Sequence, residues 1–506
     1  MDGAKKLAKG AGYAFIGYGL SKFLSYIYRV LIARISPTDY GNLSIVLAIF
    51  GIFSLFSLIG LNVGVTRYVA FYLAQNDLAR AKGIAKISLI YAGIISLILA
   101  AGLYLSSGLL AFYYKQQELE LLFKVMAIAI PFYAVRDLLL AVTRGFQYAE
   151  YEVMIRMVLE NLLKVIFTYL FLLMGLAALG ATIATVIAII ISALISLYIV
   201  ENKILPLISA KTPQIIDTEL KKELLKYSIP VLLSTLVTQV FVWSDLLILG
   251  LYRPIEEVGI YNTALPTATL LSILPGGIIV LFLPIMTELF TSKNRTEFET
   301  TYYSCGRWIF FSIIPLFLFI MLFSKEILAL VFGSIYGTGG AALSMLAIGY
   351  LVYHTLSPSV EILNVHKKTH IVLFNTTVSA LLNIILNLLL IPKYGMLGGA
   401  FATTLSMCLL GIFGLFESYH YSKIHPLRRS YWKPIISGII SIAMINFIYP
   451  YLPEKLMYSL PIGFGFNIAI YLTLLMVLNA FNENDKELFF LAKKKIKNML
   501  PFSYLE

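Results

Sequence analysis

The sequence predicts an all-α polytopic membrane protein, and two observations support that fold class. Of its 506 residues, 59% are hydrophobic and only 13% are charged, whereas a soluble domain carries about 25% charged residues. Apolar runs of about 20 residues recur along the whole chain, and each is long enough to cross a hydrocarbon core roughly 30 Å thick. The low charge excludes a soluble enzyme of this length, because its surface could not stay hydrated.

The chain divides into about 14 predicted transmembrane spans joined by short connections. These connections leave no room for an extramembrane catalytic or nucleotide-binding domain, so we expect the protein to act within the membrane. The spans are predicted near residues 11–34, 42–66, 85–108, 121–144, 151–174, 177–200, 227–251, 262–287, 304–323, 340–363, 370–391, 396–418, 432–450 and 458–479.

The formal net charge of +12 comes from basic residues in the short segments between spans. Anionic lipid headgroups account for these residues, and no separate basic module exists to bind nucleic acid. The connecting segments alternate between the two sides of the membrane, and lysine and arginine are concentrated in those on the same side as the amino terminus. The positive-inside rule assigns that side to the cytoplasm. We therefore expect a multi-pass cell-membrane protein with both termini cytoplasmic. Residues 482–500 are predicted to form a basic amphipathic helix on the inner surface.

Residues that bind metals or catalyse reactions are sparse. The two cysteines, Cys305 and Cys408, fall in or beside apolar spans, and the five histidines show no metal-ligand spacing. The glycine-rich segment 333–340 lacks the Gly-Lys-Ser/Thr ending of a P-loop. The sequence therefore predicts no disulfide, no metal, no cofactor and no enzymatic activity.

An internal repeat divides the chain into two halves. At a constant offset of 219 residues, the segment 180–185 (Gly-Ala-Thr-Ile-Ala-Thr) falls on 399–404 (Gly-Ala-Phe-Ala-Thr-Thr), and near the start of each half 37–41 resembles 254–259 with one residue inserted. Transporters built from such repeats bind substrate between the halves and rock one against the other. The predicted domains are a first lobe of six spans, a cytoplasmic linker, a second lobe of six spans, two further spans and a basic tail, at 1–201, 202–226, 227–421, 422–480 and 481–506.

Several of these segments resemble the polysaccharide transporter family. Its members are flippases of lipid-linked oligosaccharides within the multidrug/oligosaccharidyl-lipid/polysaccharide exporter (MOP) superfamily. The likeness spans the whole chain, and the order and spacing of the motifs are more specific than any one of them. The matching segments are 7–10, 29–34, 40–41, Gly60, 67–70, 258–262 and 394–400.

The resemblance implies two six-helix lobes around a central cavity and transport by alternating access. The implied substrate is an isoprenoid-diphosphate-linked oligosaccharide, carried from the cytoplasmic to the outer leaflet for the assembly of a cell-surface polysaccharide or glycan. Besides this substrate, the expected partners are membrane lipids, a coupling ion (H⁺ or Na⁺), and glycosyltransferases or a polymerase of the same pathway.

The first predicted span carries two cations, Lys22 and Arg29. They are seven residues apart and therefore share one face of a helix. A charged group deep in a span costs about 2.5–3.5 kcal/mol, so each needs a partner or a watery cavity. A diphosphate would accept both cations, and a guanidinium suits it through bidentate hydrogen bonds. The alternative is that the side chains snorkel to the membrane surface, which fits Arg29 better than mid-span Lys22.

The fifth predicted span carries Glu152, Arg156, Glu160 and Lys164, each four residues after the last. This spacing predicts a ladder of i,i+4 ion pairs. In a structural interpretation, the opposite charges of the ladder neutralise each other, so the ladder can be buried between helices. In a functional interpretation, Arg156 and Lys164 line a water-filled cavity and bind phosphate. The repeat places Lys164 on Asn383 of the second half.

The fourth predicted span carries Arg136 and Asp137, and its repeat partner, the tenth, carries His354 and Glu361. His354 falls within one residue of the repeat equivalent of Arg136. Ionisable groups at matched depth in both halves indicate a shared central chamber. We expect Arg136 to line the substrate-binding cavity together with the cations of the first and fifth spans. Asp137, Glu160, Asp245, His354 and Glu361 are expected to form a polar network that gates or couples transport, and one interpretation of His354 is that it binds a coupling proton. A histidine that is only hydrogen-bonded is the alternative.

Asp245 is the only acid between residues 240 and 251 of the seventh predicted span. It lies at about the repeat-equivalent depth of Arg29, so we predict that Arg29 and Asp245 pair when the outer side is closed. A hydrogen bond from Asp245 to a neighbouring helix is the alternative.

The sign of the charges in the first span separates the candidate functions. Cation-coupled multidrug exporters of the same superfamily carry an acid in their first spans and bind organic cations, whereas Lys22 and Arg29 would repel a cation and attract a diphosphate. A membrane glycan ligase or polymerase is the alternative of another class, and it needs a sizeable outer loop that this chain lacks. We therefore predict an oligosaccharide-lipid flippase, with a drug exporter as the main alternative.

Overall fold

The computed structural model describes residues 2–207, 215, 218–426, 431–453 and 455–481. These residues form helices, and no strand occurs among them. The α-helices are α1 (Asp2–Ala33), α2 (Pro37–Leu58), α3 (Leu61–Ala74), α4 (Leu78–Tyr113), α5 (Glu118–Ala127), α6 (Ala129–Gly145), α7 (Glu150–Glu152), α8 (Glu160–Leu173), α9 (Ala177–Ile199), α10 (Thr218–Tyr252), α11 (Ile255–Ala268), α12 (Ile273–Thr291), α13 (Arg295–Phe332), α14 (Gly340–Val365), α15 (Thr369–Tyr394), α16 (Met396–Ser422), α17 (Trp432–Ile448) and α18 (Leu456–Val477).

The all-α polytopic membrane fold is confirmed. Within the described residues, 12 helical segments are long and apolar enough to cross a membrane. The first and fifth predicted spans are helical as well, as α1 and as a continuous segment over 150–173. Both carry several charged residues, which lowers their apolar content.

The chain forms two compact units, Met1–Gly259 and Ile260–Glu506. Helix α10, the seventh predicted span, packs against α2, α3 and α4 and so belongs to the first unit. Both ends of the predicted linker 202–226 are packed there too, because Leu205 and Leu224 lie in the same hydrophobic cluster. The division into lobes at these boundaries stays a prediction, and the predicted surface helix 482–500 lies outside the described residues.

Local sequence determines where α2 begins. Ser36 caps α2 because its Oγ accepts a hydrogen bond from the Asp39 amide at 3.0 Å. Pro37 is the first helical residue, where its missing N–H costs nothing. The Asp39 carboxylate accepts a bond from the Ala178 amide at 3.2 Å, which ties α2 to the first turn of α9.

The break between α2 and α3 requires glycine. Gly60 has φ of +71°, a left-handed conformation that other residues adopt at a cost. A Cβ at this position would also collide with the carbonyl oxygen of Ser228 in α10. The close approach of α10 to this break therefore depends on the missing side chain.

The sequence repeat matches the helix boundaries. Helix α9 begins at Ala177 and α16 begins at Met396, which are separated by the offset of 219 residues. The preceding helices, α8 and α15, are paired by the same offset. Corresponding positions in these two pairs can therefore be compared directly.

Candidate functional site

An ion triad lies buried between α6 and α8 in the first unit. Arg136 donates from Nε and Nη2 to one oxygen of Asp137, at 3.0 and 2.7 Å. Its Nη1 donates to Glu160 of α8. The Arg136 side chain is only 2% exposed, and both carboxylates are buried with it. Each charge thus has an opposite charge in contact, as burial in a membrane protein requires.

Four more residues extend this triad into a continuous series of ion pairs, which we call the cationic network. At one end, Lys164 donates to Glu160 at 2.7 Å. At the other, Arg156 lies 3.8 Å from Asp137, donates to Glu152 at 3.1 Å, and Glu152 in turn pairs with Arg144 at 2.7 Å. In order along the chain of contacts, the network is Arg144, Glu152, Arg156, Asp137, Arg136, Glu160 and Lys164.

The cationic network has a cation at both ends. Its four cations alternate with three carboxylates, so it keeps one net positive charge. Every carboxylate contacts two cations. Exposure also differs along it, because the Arg136 side chain is buried while that of Arg156 is 43% exposed and that of Lys164 is 19% exposed. Positive charge therefore remains available at the partly exposed cations Arg144, Arg156 and Lys164.

Neighbouring side chains hold the arginines in place. The guanidinium of Arg136 lies over the ring of Tyr133, 4.6 Å from its centroid, a favourable cation–π geometry. Arg144 donates from Nε to the hydroxyl of Thr66 at 3.3 Å. That hydroxyl lies within hydrogen-bonding distance of two carbonyl oxygens, Asn62 of α3 at 3.0 Å and Ala141 of α6 at 3.2 Å, so both helices position it for Arg144.

The predicted ladder on the fifth span forms in part. Its first and last steps are present, Glu152 to Arg156 and Glu160 to Lys164. The middle step is replaced by contacts to α6, where Arg156 meets Asp137 and Glu160 meets Arg136. A π-helical segment, Val153–Leu159, lies between the two steps. Its i→i+5 bonding changes the register of the helix face, and such segments are frequent at functional sites.

Helix α1, which carries the two predicted cations, packs next to this site. Helix α1 packs against α8 and the π-helical segment, and Asn161 donates to Ser21 at 3.1 Å, one residue before Lys22. Lys22 is exposed. Arg29 is partly buried and donates to the Tyr40 hydroxyl at 3.4 Å. The structure thus places Lys22 beside α8, which carries Glu160 and Lys164 of the network. Arg29 lies near the start of α2.

Asp245 of α10 is buried and accepts a long hydrogen bond from Ser244 at 3.5 Å. It belongs to the first unit, as Arg29 does. The pairing of Arg29 with Asp245 stays a prediction.

The predicted residues of the second unit have separate surroundings. His354 on α14 lies near the aromatic rings of Tyr350 and Tyr353, with centroid distances of 5.8 and 5.2 Å. Glu361, about two turns further along α14, accepts a bond from Asn364 at 3.0 Å. Proton coupling at His354 stays a prediction.

Sequence reasoning missed a second ladder, on α15. It consists of buried amides and a hydroxyl, and each member lies 219 residues after a member of the fifth span. The positions of the fifth span are Arg156, Glu160, Lys164 and Thr168, and those of α15 are Asn375, Ser379, Asn383 and Asn387. The repeat offset, applied along the whole helix, would have found it.

We call these four residues of α15 the amide ladder. Asn383 donates to Thr403 of α16 at 3.0 Å, and Asn387 donates to Asn383 at 3.0 Å. Asn375 donates to Glu417 of α16. The described residues contain no group of three or more His, Cys, Asp or Glu side chains that could hold a metal ion.

Comparison with known proteins identifies the family. The model of a family described as polysaccharide biosynthesis protein matches residues 7–290. The chain belongs to this family. The predicted membership in the polysaccharide transporter family of the MOP superfamily is thereby confirmed, and a MatE family model also matches residues 230–389.

Two relatives and one solved structure are similar to this chain. An uncharacterised membrane protein of Methanocaldococcus jannaschii is 26% identical over 88% of this chain and 91% of its own length. A probable low-salt glycan biosynthesis flippase of Haloferax volcanii is 24% identical over 53% of this chain and 58% of its own length. The lipid II flippase MurJ, in an inward closed conformation, has the same fold, with 16% identity, a TM-score of 0.74, and coverage of 92% of this chain and 98% of its own.

Proposed function

We propose that the protein is a flippase that moves an isoprenoid-diphosphate-linked oligosaccharide from the cytoplasmic to the outer leaflet of the cell membrane by alternating access. The cationic network carries this proposal. It holds a net positive charge within the first unit, and its most exposed member, Arg156, makes the longest ion pair of the network, 3.8 Å to Asp137, besides its bond to Glu152 at 3.1 Å. The glycan flippase relative supports the substrate class.

A diphosphate fits the most exposed cation of the network, Arg156. Arg156 is held by Glu152 and Asp137, and phosphate oxygens can replace carboxylate oxygens as its acceptors. A guanidinium binds phosphate through two parallel hydrogen bonds, which makes the exchange favourable. Lys22 and Lys164 are the neighbouring cations that we assign to the second phosphate. Arg136 stays in place because it is buried between two carboxylates.

The second candidate is the cation-coupled multidrug exporter, which the MatE match supports. An exporter of organic cations needs a carboxylate that a cation can reach. Each carboxylate of the cationic network already contacts two basic side chains. An organic cation would have to displace one of them, so the network favours an anionic substrate.

The remaining assignments complete the proposal. The energy source is either the gradient of a coupling ion, H⁺ or Na⁺, or the membrane potential, and His354 with Glu361 is our candidate site for a coupling proton. Both termini are cytoplasmic, as the distribution of basic residues predicts. Glycosyltransferases or a polymerase of the same pathway make and consume the lipid-linked glycan.

The test is flipping in proteoliposomes with a fluorescent isoprenoid-diphosphate oligosaccharide and a membrane-impermeant reagent that reports leaflet exposure. We expect the native protein to flip this lipid and Arg156→Ala to lose at least about tenfold in rate, the equivalent of one charge-assisted hydrogen bond. Lys22→Ala and Arg29→Ala test the predicted cations of α1. The matched control is Arg295→Ala, which removes an arginine from the exposed i,i+4 pair with Glu299.

Two outcomes would overturn the proposal. The first is the absence of flipping by folded native protein together with gradient-dependent uptake of an organic cation, which would establish the drug exporter. The second is unchanged flipping in Arg156→Ala, which would remove the cationic network from the binding site.

A further inference from the structure

Arg67 on α3 has different surroundings from the arginines of the cationic network. Its guanidinium lies over the ring of Tyr227 on α10, 4.3 Å from the centroid, and 5.6 Å from the centroid of Tyr68. Arg67 is exposed, and no hydrogen bond or ion pair to it occurs among the described residues. The N–H donors of this guanidinium are therefore available to an anion. We call Arg67, Tyr68 and Tyr227 the arginine platform.

The packing of α3 against α10 holds the two tyrosines in place. Tyr68 donates from its hydroxyl to the backbone carbonyl of Glu223 at 3.3 Å, and its ring meets that of Tyr227 edge to face, with centroids 6.0 Å apart. The helices approach closely here, because a Cβ atom added to Gly64 would lie only 2.5 Å from the Ser228 hydroxyl oxygen. The rings that support the guanidinium are thus positioned before any ligand binds.

The surface around the arginine platform is positive. Lys222 and Lys226 are exposed, lie about one turn apart on α10, and make no ion pair with any described residue. Glu223 lies between them in the sequence. Its carboxylate accepts a hydrogen bond from the Tyr72 hydroxyl at 3.4 Å, and it forms no ion pair with Arg67, which is also described. This distribution of charge favours an anionic ligand.

The arginine platform adjoins the Arg144 end of the cationic network. Thr66, the residue before Arg67 on α3, accepts the hydrogen bond from the Arg144 Nε at 3.3 Å. Consecutive Cα atoms are about 3.8 Å apart, so one turn of α3 contacts both sites. All of these residues belong to the first unit. Arg67 directly follows the predicted span 42–66, which places it at the membrane surface on the side predicted to be cytoplasmic.

We propose that the arginine platform is an entry site, where the diphosphate of the lipid-linked substrate binds before it reaches Arg156. Arg67 binds phosphate through its guanidinium, and Lys222 and Lys226 attract the anionic headgroup to this end of the first unit. The inference rests on the proposed flippase function. An anionic phospholipid has the same phosphate chemistry, but the diphosphate substrate is favoured because the platform adjoins the cationic network.

The concentration dependence of flipping tests the entry site in proteoliposomes of phosphatidylcholine. We expect Arg67→Gln to raise the half-saturating concentration of the fluorescent isoprenoid-diphosphate oligosaccharide about tenfold, the equivalent of one charge-assisted hydrogen bond. The maximal rate should change less, because an entry site acts on capture. Tyr227→Ala should raise the half-saturating concentration about threefold, and Tyr227→Trp should keep it near the native value, since tryptophan is the best ring for a cation–π contact.

The matched control is Arg80→Gln on α4, also in the first unit. Arg80 lies 5.9 Å from the ring centroid of Tyr72, but it is paired with Asp77 at 3.6 Å. We expect this variant to flip lipid with the native concentration dependence.

A binding measurement separates the two sources of phosphate. Farnesyl diphosphate is titrated into Arg156→Ala protein in phosphatidylcholine nanodiscs, where the platform is the remaining site. We expect binding that weakens about tenfold when Arg67→Gln is added. The difference should persist in nanodiscs that also contain phosphatidylglycerol.

The entry site is refuted if Arg67→Gln behaves like Arg80→Gln in flipping, or if the Arg156→Ala protein binds no farnesyl diphosphate. It is also refuted if phosphatidylglycerol removes the effect of Arg67→Gln on binding, which would make the platform a phospholipid site. Failure of the proposed function looks different, because the native protein then flips no lipid while farnesyl diphosphate binding still depends on Arg67. Gel filtration checks folding, and Tyr227→Ala against Tyr227→Trp tests the platform even if Arg67→Gln fails to fold.

Discussion

The fifth predicted span and its repeat partner α15 both carry polar residues at four equivalent positions, but the types of residue differ. At four successive i,i+4 positions, the fifth span has two cations, a carboxylate and a threonine, whereas α15 has three asparagines and a serine. The fifth span contains a π-helical segment, and α15 is α-helical throughout. Its asparagines donate hydrogen bonds to one another and to α16.

The difference shows that packing alone does not require ions at these positions. Small polar residues join membrane helices without the cost of burying charge, and α15 uses them. The first unit bears the cost of burying Glu160 on the fifth span together with Arg136 and Asp137 on α6. We infer that the charges of the first unit are kept for a ligand, while the amide ladder of the second unit serves structure.

The largest expected effect is the loss of stability when the cationic network is broken. Arg136→Leu leaves Asp137 and Glu160 buried without their shared cation, and removing one partner of a buried ion pair costs about 3–5 kcal/mol. We expect a large fall in the melting temperature of the purified protein in detergent, or loss of folded protein. Thermal unfolding followed by intrinsic fluorescence measures this.

The control for that prediction is Arg253→Leu, which breaks the partly exposed pair with Glu257 at 2.8 Å. Its expected cost is at most about 1 kcal/mol. Equal losses in Arg136→Leu and Arg253→Leu would show that burial of the network contributes little.

A smaller effect is expected in the amide ladder. Asn383→Leu removes the hydrogen bonds to Thr403 and Asn387, and single polar contacts of this kind between membrane helices contribute about 0.6 kcal/mol, rarely more than about 1.7 kcal/mol. We expect a modest fall in melting temperature and an unchanged rate of flipping. A tenfold loss of flipping with retained stability would contradict the comparison, because it would give the amide ladder a direct part in transport.

The sequence predicted the features that depend on residues close together in the chain, and it missed those that depend on contacts between separate helices. The spans were predictable because each apolar run determines its own helix, and the i,i+4 spacing identified Arg156, Glu160 and Lys164. The partners on α6 were not predictable, since they depend on how two helices pack and on the π-helical segment that shifts Arg156 relative to Glu160. Arg144 entered the site for the same reason, through its contact with Glu152.

The smallest expected effect concerns pH and a titratable ring of the second unit. His366 follows α14 and packs against Phe290, with ring centroids 4.6 Å apart. Burial and the nearby ammonium of Lys368 lower the pKa of His366. The unfolded chain therefore takes up this proton more readily than the folded one. The stability that the neutral ring contributes is present above the unfolded pKa of about 6.5 and is lost as the pH falls below it.

We expect the native melting temperature to fall between neutral and mildly acidic pH, and His366→Phe to weaken that dependence slightly while keeping the ring contact with Phe290. The control is His370→Phe, which replaces an exposed histidine four residues away. Other titrating groups act equally in all three proteins, so the difference between the melting curves isolates His366. Parallel curves for the native protein and His366→Phe would mean that the second unit is insensitive to pH at this position.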